Sequence, residues 1–220
     1  MTPHQIDESL YTPMMPAKNP KPILGLIGGI GAGKSFIASL FAKHGCAVID
    51  SDALAHEVLQ SPPVKQELTD WLGQTILAPD GSVSRRTVGR IVFNDPAKLQ
   101  RLNALIHPLV NQRRADLMVR YNTDPRISAV VWDSPLLLES GLDRECDAVA
   151  YVSAPPEVRM QRLAQSRGWT PDELQRREKL QFPLDKKASV ADYYIDNGGD
   201  KAASEDQVLR VISQFMKKSC

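Results

Sequence analysis

Short apolar runs alternate along the chain with longer segments whose hydrophobic residues follow a helical spacing. The first run, at 23–27, contains only apolar residues and one glycine, as expected for a strand buried on both faces of a parallel sheet. Comparable runs occupy 46–49, 127–132, 148–152 and 193–195. Between them, apolar residues recur three and four positions apart, which is typical of amphipathic helices. The pattern predicts an α/β fold in which a five-stranded parallel sheet is flanked by helices.

The segment between the second and third strands is too long for a plain crossover. It predicts a helical insert at 53–122, which we expect to bind the second substrate, the acceptor. A basic segment at 155–187 contains Gly168 and a capping pattern that starts at Thr170, which together predict a mobile helical lid. The remaining segments would form the core of one domain at 22–218, namely 22–52, 123–154 and 188–218. Residues 1–21 are polar and rich in proline, and we expect them to be a flexible leader.

Two dipeptides suggest helix boundaries within the insert. Asp95 and Pro96 are a good N-cap and first helical residue, so a helix should begin there. His107 precedes Pro108, and a proline disfavours the helical conformation of the residue before it. We therefore expect the helix to be interrupted at this pair.

A phosphate-binding loop follows the first predicted strand. Gly28–Ser35 satisfies the pattern G-x-x-x-x-G-K-[ST] and leads into an amphipathic segment. Glycines allow successive backbone N–H groups to surround a phosphate, and the helix N-terminus adds a partial positive charge. Lys34 is then expected to reach the β- and γ-phosphates, and the hydroxyl of Ser35 to bind Mg²⁺. A chance glycine-rich turn is the alternative interpretation, which the flanking strand and helix disfavour.

The loop alone leaves a kinase, a GTPase, an ATPase motor and a regulatory switch open. The sequence lacks the guanine-specific N-K-x-D and the transporter signature L-S-G-G-Q. Its length leaves no room for motor modules. A small P-loop kinase with an acceptor insert and a lid is the favoured interpretation.

Carboxylates close two of the predicted strands. Asp50 and Asp52 follow the second strand, at the sheet edge where α/β proteins bind ligands, and either is a candidate base for the attacking hydroxyl. We favour Asp52 because it stands at the start of the insert, although a helix N-cap is the alternative role. Asp133 ends the third strand and is either a Walker-B carboxylate or a strand-end cap.

Composition restricts the partners and the compartment. The 27 basic and 26 acidic residues give a net charge of +1, which argues against a general nucleic-acid or membrane-surface binder. The three cysteines are far apart and suggest neither disulfides nor a zinc site, and no apolar run approaches the ~20 residues of a membrane span. We expect a cytoplasmic protein without an obligate protein partner.

Several motifs occur in the order found in bacterial dephospho-CoA kinases, and the chain resembles that family from residue 22 to the last helix. The matching segments are the phosphate loop with Val48–Asp52, Asp80–Arg85, Leu102–Pro108, Asp133–Glu139, the arginines Arg162, Arg167 and Arg177 with Gln181, and Ala191–Gly198. Phe36 departs from the family, which usually has threonine there.

The resemblance implies ATP-dependent phosphorylation of the ribose 3′-hydroxyl of dephospho-CoA, the last step of coenzyme A biosynthesis, with Mg²⁺. It implies that Asp52 is the base and that Lys34, Arg162 and Arg167 assist the transfer. The ATP-binding residues would be Gly31, Ala32, Gly33, Lys34, Ser35 and Phe36, and the acceptor-binding residues Asp52, Arg85, His107 and Asp133. Two alternatives stay open, a kinase for a nucleotide or a sugar acid and an ATP-sensing switch.

Overall fold

The structure is a computed structural model, and it describes residues 21–93 and 95–219. The predicted leader therefore lies outside the described residues except for Lys21. The described chain divides into two compact units, one of residues 51–117 and one of residues 21–50 together with 118–219. Within the described ranges, no helix combines the length and the apolar composition that a bilayer span requires.

The larger unit contains a parallel sheet of five strands in the order β2-β3-β1-β4-β5. The strands are β1 (Ile23–Gly28), β2 (Cys46–Asp50), β3 (Ala129–Asp133), β4 (Ala148–Ser153) and β5 (Tyr193–Asp196). The predicted fold class is thus confirmed, with strand ends that differ by one or two residues from the apolar runs. Because β1 lies between β3 and β4, its carboxyl end is at the switch point where α/β sheets bind ligands.

Helices cover the sheet of the larger unit. These are α1 (Lys34–Lys43), α6 (Pro156–Arg167), α7 (Pro171–Glu178), α8 (Leu184–Ser189) and α9 (Lys201–Ser219), with a short 3₁₀ turn at Leu142–Glu145. Ile37 and Phe41 of α1 pack in one buried cluster with Val208 and Phe215 of α9 and with residues of the strands. The core therefore fixes α1, and with it the loop that precedes α1, on the carboxyl side of β1.

Two helix boundaries of this unit have local causes, and the one predicted at Thr170 is confirmed. After α1 the chain turns at Gly45, whose φ of 86° is in the left-handed region that favours glycine. Thr170 caps α7, because its side chain accepts a hydrogen bond from the N–H of Glu173 at 3.4 Å.

The smaller unit is almost entirely helical, as predicted for the insert at 53–122. It contains α2 (Ser51–Gln60), α3 (Pro62–Leu72), a 3₁₀ turn (Gln74–Ile76), α4 (Arg85–Val92) and most of α5 (Pro96–Thr123). An antiparallel bridge between Leu77 and Val83 closes the turn around Gly81. The side chains of Val64, Leu68, Ile76, Val88 and Val92 are buried.

The predicted interruption at Pro108 is wrong. Helix α5 continues through this residue to Thr123, although a proline removes one backbone hydrogen bond and crowds the preceding turn. Ile106 and Val110 on either side are buried, so packing of the flanking turns offsets the local cost. The predicted start of the helix is confirmed, since Oδ1 of Asp95 accepts hydrogen bonds from the N–H groups of Ala97 and Lys98.

Replacing Ser84 by alanine should lower the free energy of unfolding by about 1 kcal/mol. Oγ of Ser84 caps α4 by accepting from the N–H of Thr87 at 3.3 Å, and alanine leaves that N–H without its partner. Chemical denaturation measures the change. Ser84→Asn is the matched control, because asparagine also caps helices. An equal loss in both variants would contradict the capping role.

Candidate active site

The phosphate loop connects β1 to α1, and two of its glycines are required by the backbone. Gly31 and Gly33 have φ values of 80° and 86°, in the left-handed region. A Cβ at Gly31 would lie 2.9 Å from the carbonyl oxygen of Arg159, and one at Gly33 would overlap Nδ2 of Asn197. Both conformation and close packing therefore exclude larger residues at these positions.

Side chains from later in the chain bind the carbonyl groups of this loop. Nη1 of Arg159 donates to the carbonyl of Ile30 at 3.2 Å. The carbonyl of Ala32 accepts from Nη1 of Arg162 at 3.2 Å and from Nδ2 of Asn197 at 2.7 Å.

These contacts also orient the N–H groups of the loop. In a trans peptide the C=O group and the following N–H group point in opposite directions. The N–H groups of Gly31 and Gly33 therefore face away from Arg159, Arg162 and Asn197. Together with the positive end of α1, they form a site that suits the phosphates of a nucleotide.

Lys34, the first residue of α1, has an acidic neighbour at the end of β3. Its Nζ lies 3.9 Å from Oδ1 of Asp133, and both side chains are largely buried. Asp133 ends β3 and is in register with Asp50, which ends β2, and with Leu26, which lies two residues before the end of β1. Asp50 is exposed, whereas Asp133 is 6% exposed. The carboxylate beside the P-loop lysine is thus that of Asp133.

The two predicted lid arginines occupy different places. Arg162 donates from Nη2 to the carbonyl of Asn197 at 2.7 Å, in addition to its contact with the phosphate loop. Arg167 is exposed at the end of α6, with its guanidinium 5.1 Å from the centre of the Trp169 ring. Arg177 lies 4.4 Å from the same ring. Arg162 therefore braces the loop, and Arg167 lies at the turn that leads into α7.

Two of the predicted acceptor residues stand in the first turns of helices of the smaller unit. Asp52 is exposed in the first turn of α2, where the helix dipole stabilises a negative charge. Arg85 is the exposed first residue of α4, where the same dipole disfavours a positive charge. The start of the helix therefore does not stabilise the charge of Arg85.

His107 lies on an exposed part of α5, two turns before the buried side chain of Arg114. The loss of water around the imidazole lowers its pKa, and the positive charge of Arg114 lowers it further. His107 is consequently neutral at pH 7. It can serve an acceptor as a hydrogen-bonding group and not as a cation.

A sequence model of the dephospho-CoA kinase family matches residues 22–203. The chain belongs to this family. It is 36% identical over 196 residues to dephospho-CoA kinase of Thermobifida fusca, with 89% of this chain and 96% of that protein covered. It is 41% identical to dephospho-CoA kinase of Streptomyces avermitilis over 79% of this chain and 84% of that protein. The crystal structure of TT1252 from Thermus thermophilus superposes with a TM-score of 0.78 at 29% identity, covering 89% and 97% of the two chains.

Sequence reasoning missed two residues that support the phosphate loop of this dephospho-CoA kinase family member. Arg159 is 6% exposed, and its Nη1 also lies 2.6 Å from Oε1 of Glu178. Asn197 is 3% exposed and is held by Oγ of Ser204 at 3.2 Å. A partial signal existed, since Arg159 and Arg162 are three positions apart and share one face of α6. The signal for Asn197 was weaker, because it lies in the segment Ala191–Gly198, which matches the family but suggests no role for this residue.

We expect His107 to titrate below its ordinary pKa of 6.5, which histidine NMR resonances can measure. Arg114→Met should raise the pKa only partly, because the loss of water around the imidazole is the larger cause. Since folding disfavours the protonated imidazole, the stability that depends on neutral His107 is present above pH 6.5 and is lost as the pH falls through the folded-state pKa. The variant His107→Gln identifies the resonance and should remove this part of the pH dependence. A pKa at or above 6.5 would contradict the expectation.

Proposed function

We propose that this chain transfers the γ-phosphoryl group of ATP to the ribose 3′-hydroxyl of dephospho-CoA, giving CoA and ADP. Family membership gives the activity, ATP-dependent phosphorylation of dephospho-CoA in coenzyme A biosynthesis. The observation that carries the proposal is the phosphate loop, whose carbonyl groups accept hydrogen bonds from Arg159, Arg162 and Asn197. The chain that contains this loop matches the family over 22–203. The choice of the 3′-hydroxyl and the roles of individual residues are part of the proposal.

The nucleotide end of the reaction is assigned to the loop and the start of α1. The N–H groups of Gly31 and Gly33, with those of the first turn of α1, receive the phosphate oxygens, and Lys34 balances charge on the β- and γ-phosphates. Ala32, Ser35 and Phe36 complete the ATP-binding segment. The hydrogen bonds to the loop carbonyls support this assignment, because they fix the orientation of the N–H groups before the nucleotide binds.

Oxygen ligands near Lys34 fit Mg²⁺. The hydroxyl of Ser35 is exposed in the first turn of α1, and Asp133 provides a carboxylate 3.9 Å from Nζ of Lys34. Mg²⁺ prefers oxygen ligands and keeps several waters and phosphate oxygens, so few protein ligands are required. When bound, the ion would neutralise negative charge on the phosphates. We propose that Ser35 binds it directly and that Asp133 acts through water.

The transfer itself requires a base and positive charge around the γ-phosphate. Asp52 accepts the proton of the 3′-hydroxyl as the new O–P bond forms and the bond between the γ-phosphorus and the bridging oxygen breaks. ADP leaves with that oxygen. We assign Arg162 and Arg167 to the support of transition-state charge. Arg85, His107 and Asp133 are assigned to binding of the acceptor.

A coupled assay of ADP release with dephospho-CoA tests the proposed function. We expect turnover that depends on both ATP and dephospho-CoA, and a product whose new phosphate is located on the 3′-oxygen by ³¹P NMR. Nucleoside monophosphates and sugar acids serve as competing acceptors. Faster turnover with one of these would replace the acceptor, and tight ATP binding without turnover on any acceptor would favour a nucleotide-sensing role.

A further inference from the structure

Glu178, the last residue of α7, forms an ion pair with a buried arginine of α6. Its Oε1 lies 2.6 Å from Nη1 of Arg159. The side chain of Glu178 is 34% exposed, whereas Arg159 is buried. The same Nη1 donates to the carbonyl of Ile30 in the phosphate loop at 3.2 Å. One nitrogen of Arg159 therefore joins the end of α7 to the loop.

The two contacts of this nitrogen depend on each other. Nη1 carries two hydrogens, and their directions are fixed because the guanidinium is planar. It has two acceptors, Oε1 of Glu178 and the carbonyl of Ile30. The contact with the carboxylate is the stronger one, because both partners are charged. Glu178 therefore sets the orientation in which Arg159 reaches the carbonyl.

The guanidinium also packs directly against the backbone of the loop. A Cβ at Gly29 would lie 2.9 Å from Nη1 of Arg159 and 3.1 Å from Cδ2 of Leu184. Glycine at this position thus allows the close approach. No side chain separates Arg159 from the loop at this point.

The peptide between Ile30 and Gly31 requires such a contact. Glycine adopts a wide range of φ values at little cost, so the plane of the peptide before it can rotate. Rotation would turn the carbonyl of Ile30 away from Arg159 and the N–H of Gly31 away from its present direction. A hydrogen bond to this carbonyl therefore also fixes the N–H group of the same peptide.

We propose that Glu178 is a positioning residue for nucleotide binding: by holding Arg159 on the carbonyl of Ile30, it keeps the N–H of Gly31 directed at the phosphates. The end of α7 thereby sets the affinity of a loop that lies far from it in sequence. The inference rests on the proposed nucleotide site, but not on the identity of the acceptor.

Calorimetric binding of ADP tests this role, because it reports the dissociation constant and the fraction of competent protein separately. Glu178→Gln keeps the size of the side chain and removes its charge. The buried guanidinium then lacks its countercharge and moves towards water, which frees the carbonyl of Ile30. We expect ADP binding about fivefold weaker, with unchanged stoichiometry.

Asp172→Asn is the matched control for this variant. Asp172 is exposed on the same helix, and its replacement changes the net charge equally. We expect the control to bind ADP as the wild type does.

A second variant shows whether the effect passes through Arg159. Arg159→Met removes the guanidinium and leaves a carboxylate that is one-third exposed, so no buried charge loses its partner and the protein should fold even if Glu178→Gln does not. It should weaken ADP binding by about the same factor. Adding Glu178→Gln to Arg159→Met should weaken binding no further, because the residue on which Glu178 acts is gone.

The amide resonance of Gly31 reports the loop directly. In protein without nucleotide, Glu178→Gln and Arg159→Met should shift this resonance in the same direction, and Asp172→Asn should leave it in place. An ion pair that only stabilises the fold would lower the melting temperature without changing the Gly31 resonance or the ADP dissociation constant.

That result would overturn the proposal. Wild-type affinity in folded Arg159→Met, or additive losses from the two substitutions, would also overturn it. Wild-type protein that fails to bind ADP would instead refute the nucleotide site itself, and a wrong acceptor would leave every one of these binding results intact.

Discussion

Replacing Lys34 by alanine should lower kcat at least a hundredfold, which corresponds to about 3 kcal/mol of transition-state stabilisation. Lys34 is the first residue of α1 and lies beside Asp133. The loop before it is held by Arg162, which donates a hydrogen bond to the carbonyl of Ala32. In the proposed function, the ammonium of Lys34 balances charge on the β- and γ-phosphates, where negative charge shifts during transfer. Water can fill the space of the missing side chain but supplies no fixed positive charge.

The fold should survive this change. Lys34 begins the helix and is not among the buried cluster that joins α1 to α9. Lys43→Ala provides a matched control, because Lys43 ends the same helix in an exposed ion pair with Glu205. Circular dichroism, melting temperature and steady-state kinetics on both variants check the prediction. Near-wild-type turnover in folded Lys34→Ala would refute the assignment of the phosphate site.

The parallel core was predictable because each of its signals is local. A strand buried on both faces must be apolar throughout, and the residues of β1 and β3 are all buried. The phosphate loop needs glycine at Gly31 and Gly33 because their φ values lie in the left-handed region. The short P-loop motif therefore contains enough information to predict the loop. The place of Asp133 at the end of β3 was predictable for the same reason, since it follows an apolar run.

The contacts that support the loop were not predictable because they join residues far apart in sequence. Arg159 meets the carbonyl of Ile30 across 129 positions, and Asn197 meets that of Ala32 across 165. The spacing of Arg159 and Arg162 places both on one face of α6, but it does not distinguish a buried arginine from a solvated one. Lys187 is similar, since a lysine that follows another lysine gives no sign that it is 1% exposed. Pro108 shows the converse, because a strong local rule was overridden by the packing of the helix around it.

Asp52→Asn should lower kcat between about a hundredfold and ten-thousandfold while the affinity for ATP changes little. A ribose hydroxyl is a weak nucleophile, and a carboxylate that takes its proton during the transfer supplies a factor of this size. Asparagine keeps the shape and can accept a hydrogen bond, but it is far less basic. ATP binding is assigned to the loop before α1, so it should be preserved.

Asp50→Asn is the comparison that gives this result its meaning. Asp50 ends β2 in register with Asp133, so its loss should affect metal binding or stability more than the chemical step. Asp52 has an alternative role as an acidic residue in the first turn of α2, where its charge favours the helix. If Asp52 only stabilises the helix, Asp52→Asn should lower the melting temperature and preserve kcat. If Asp52 is the base, the same change should lower kcat and preserve the melting temperature. Measuring kcat, nucleotide Kd and Tm for both variants separates the two, and a larger loss of kcat in Asp50→Asn would move the base to Asp50.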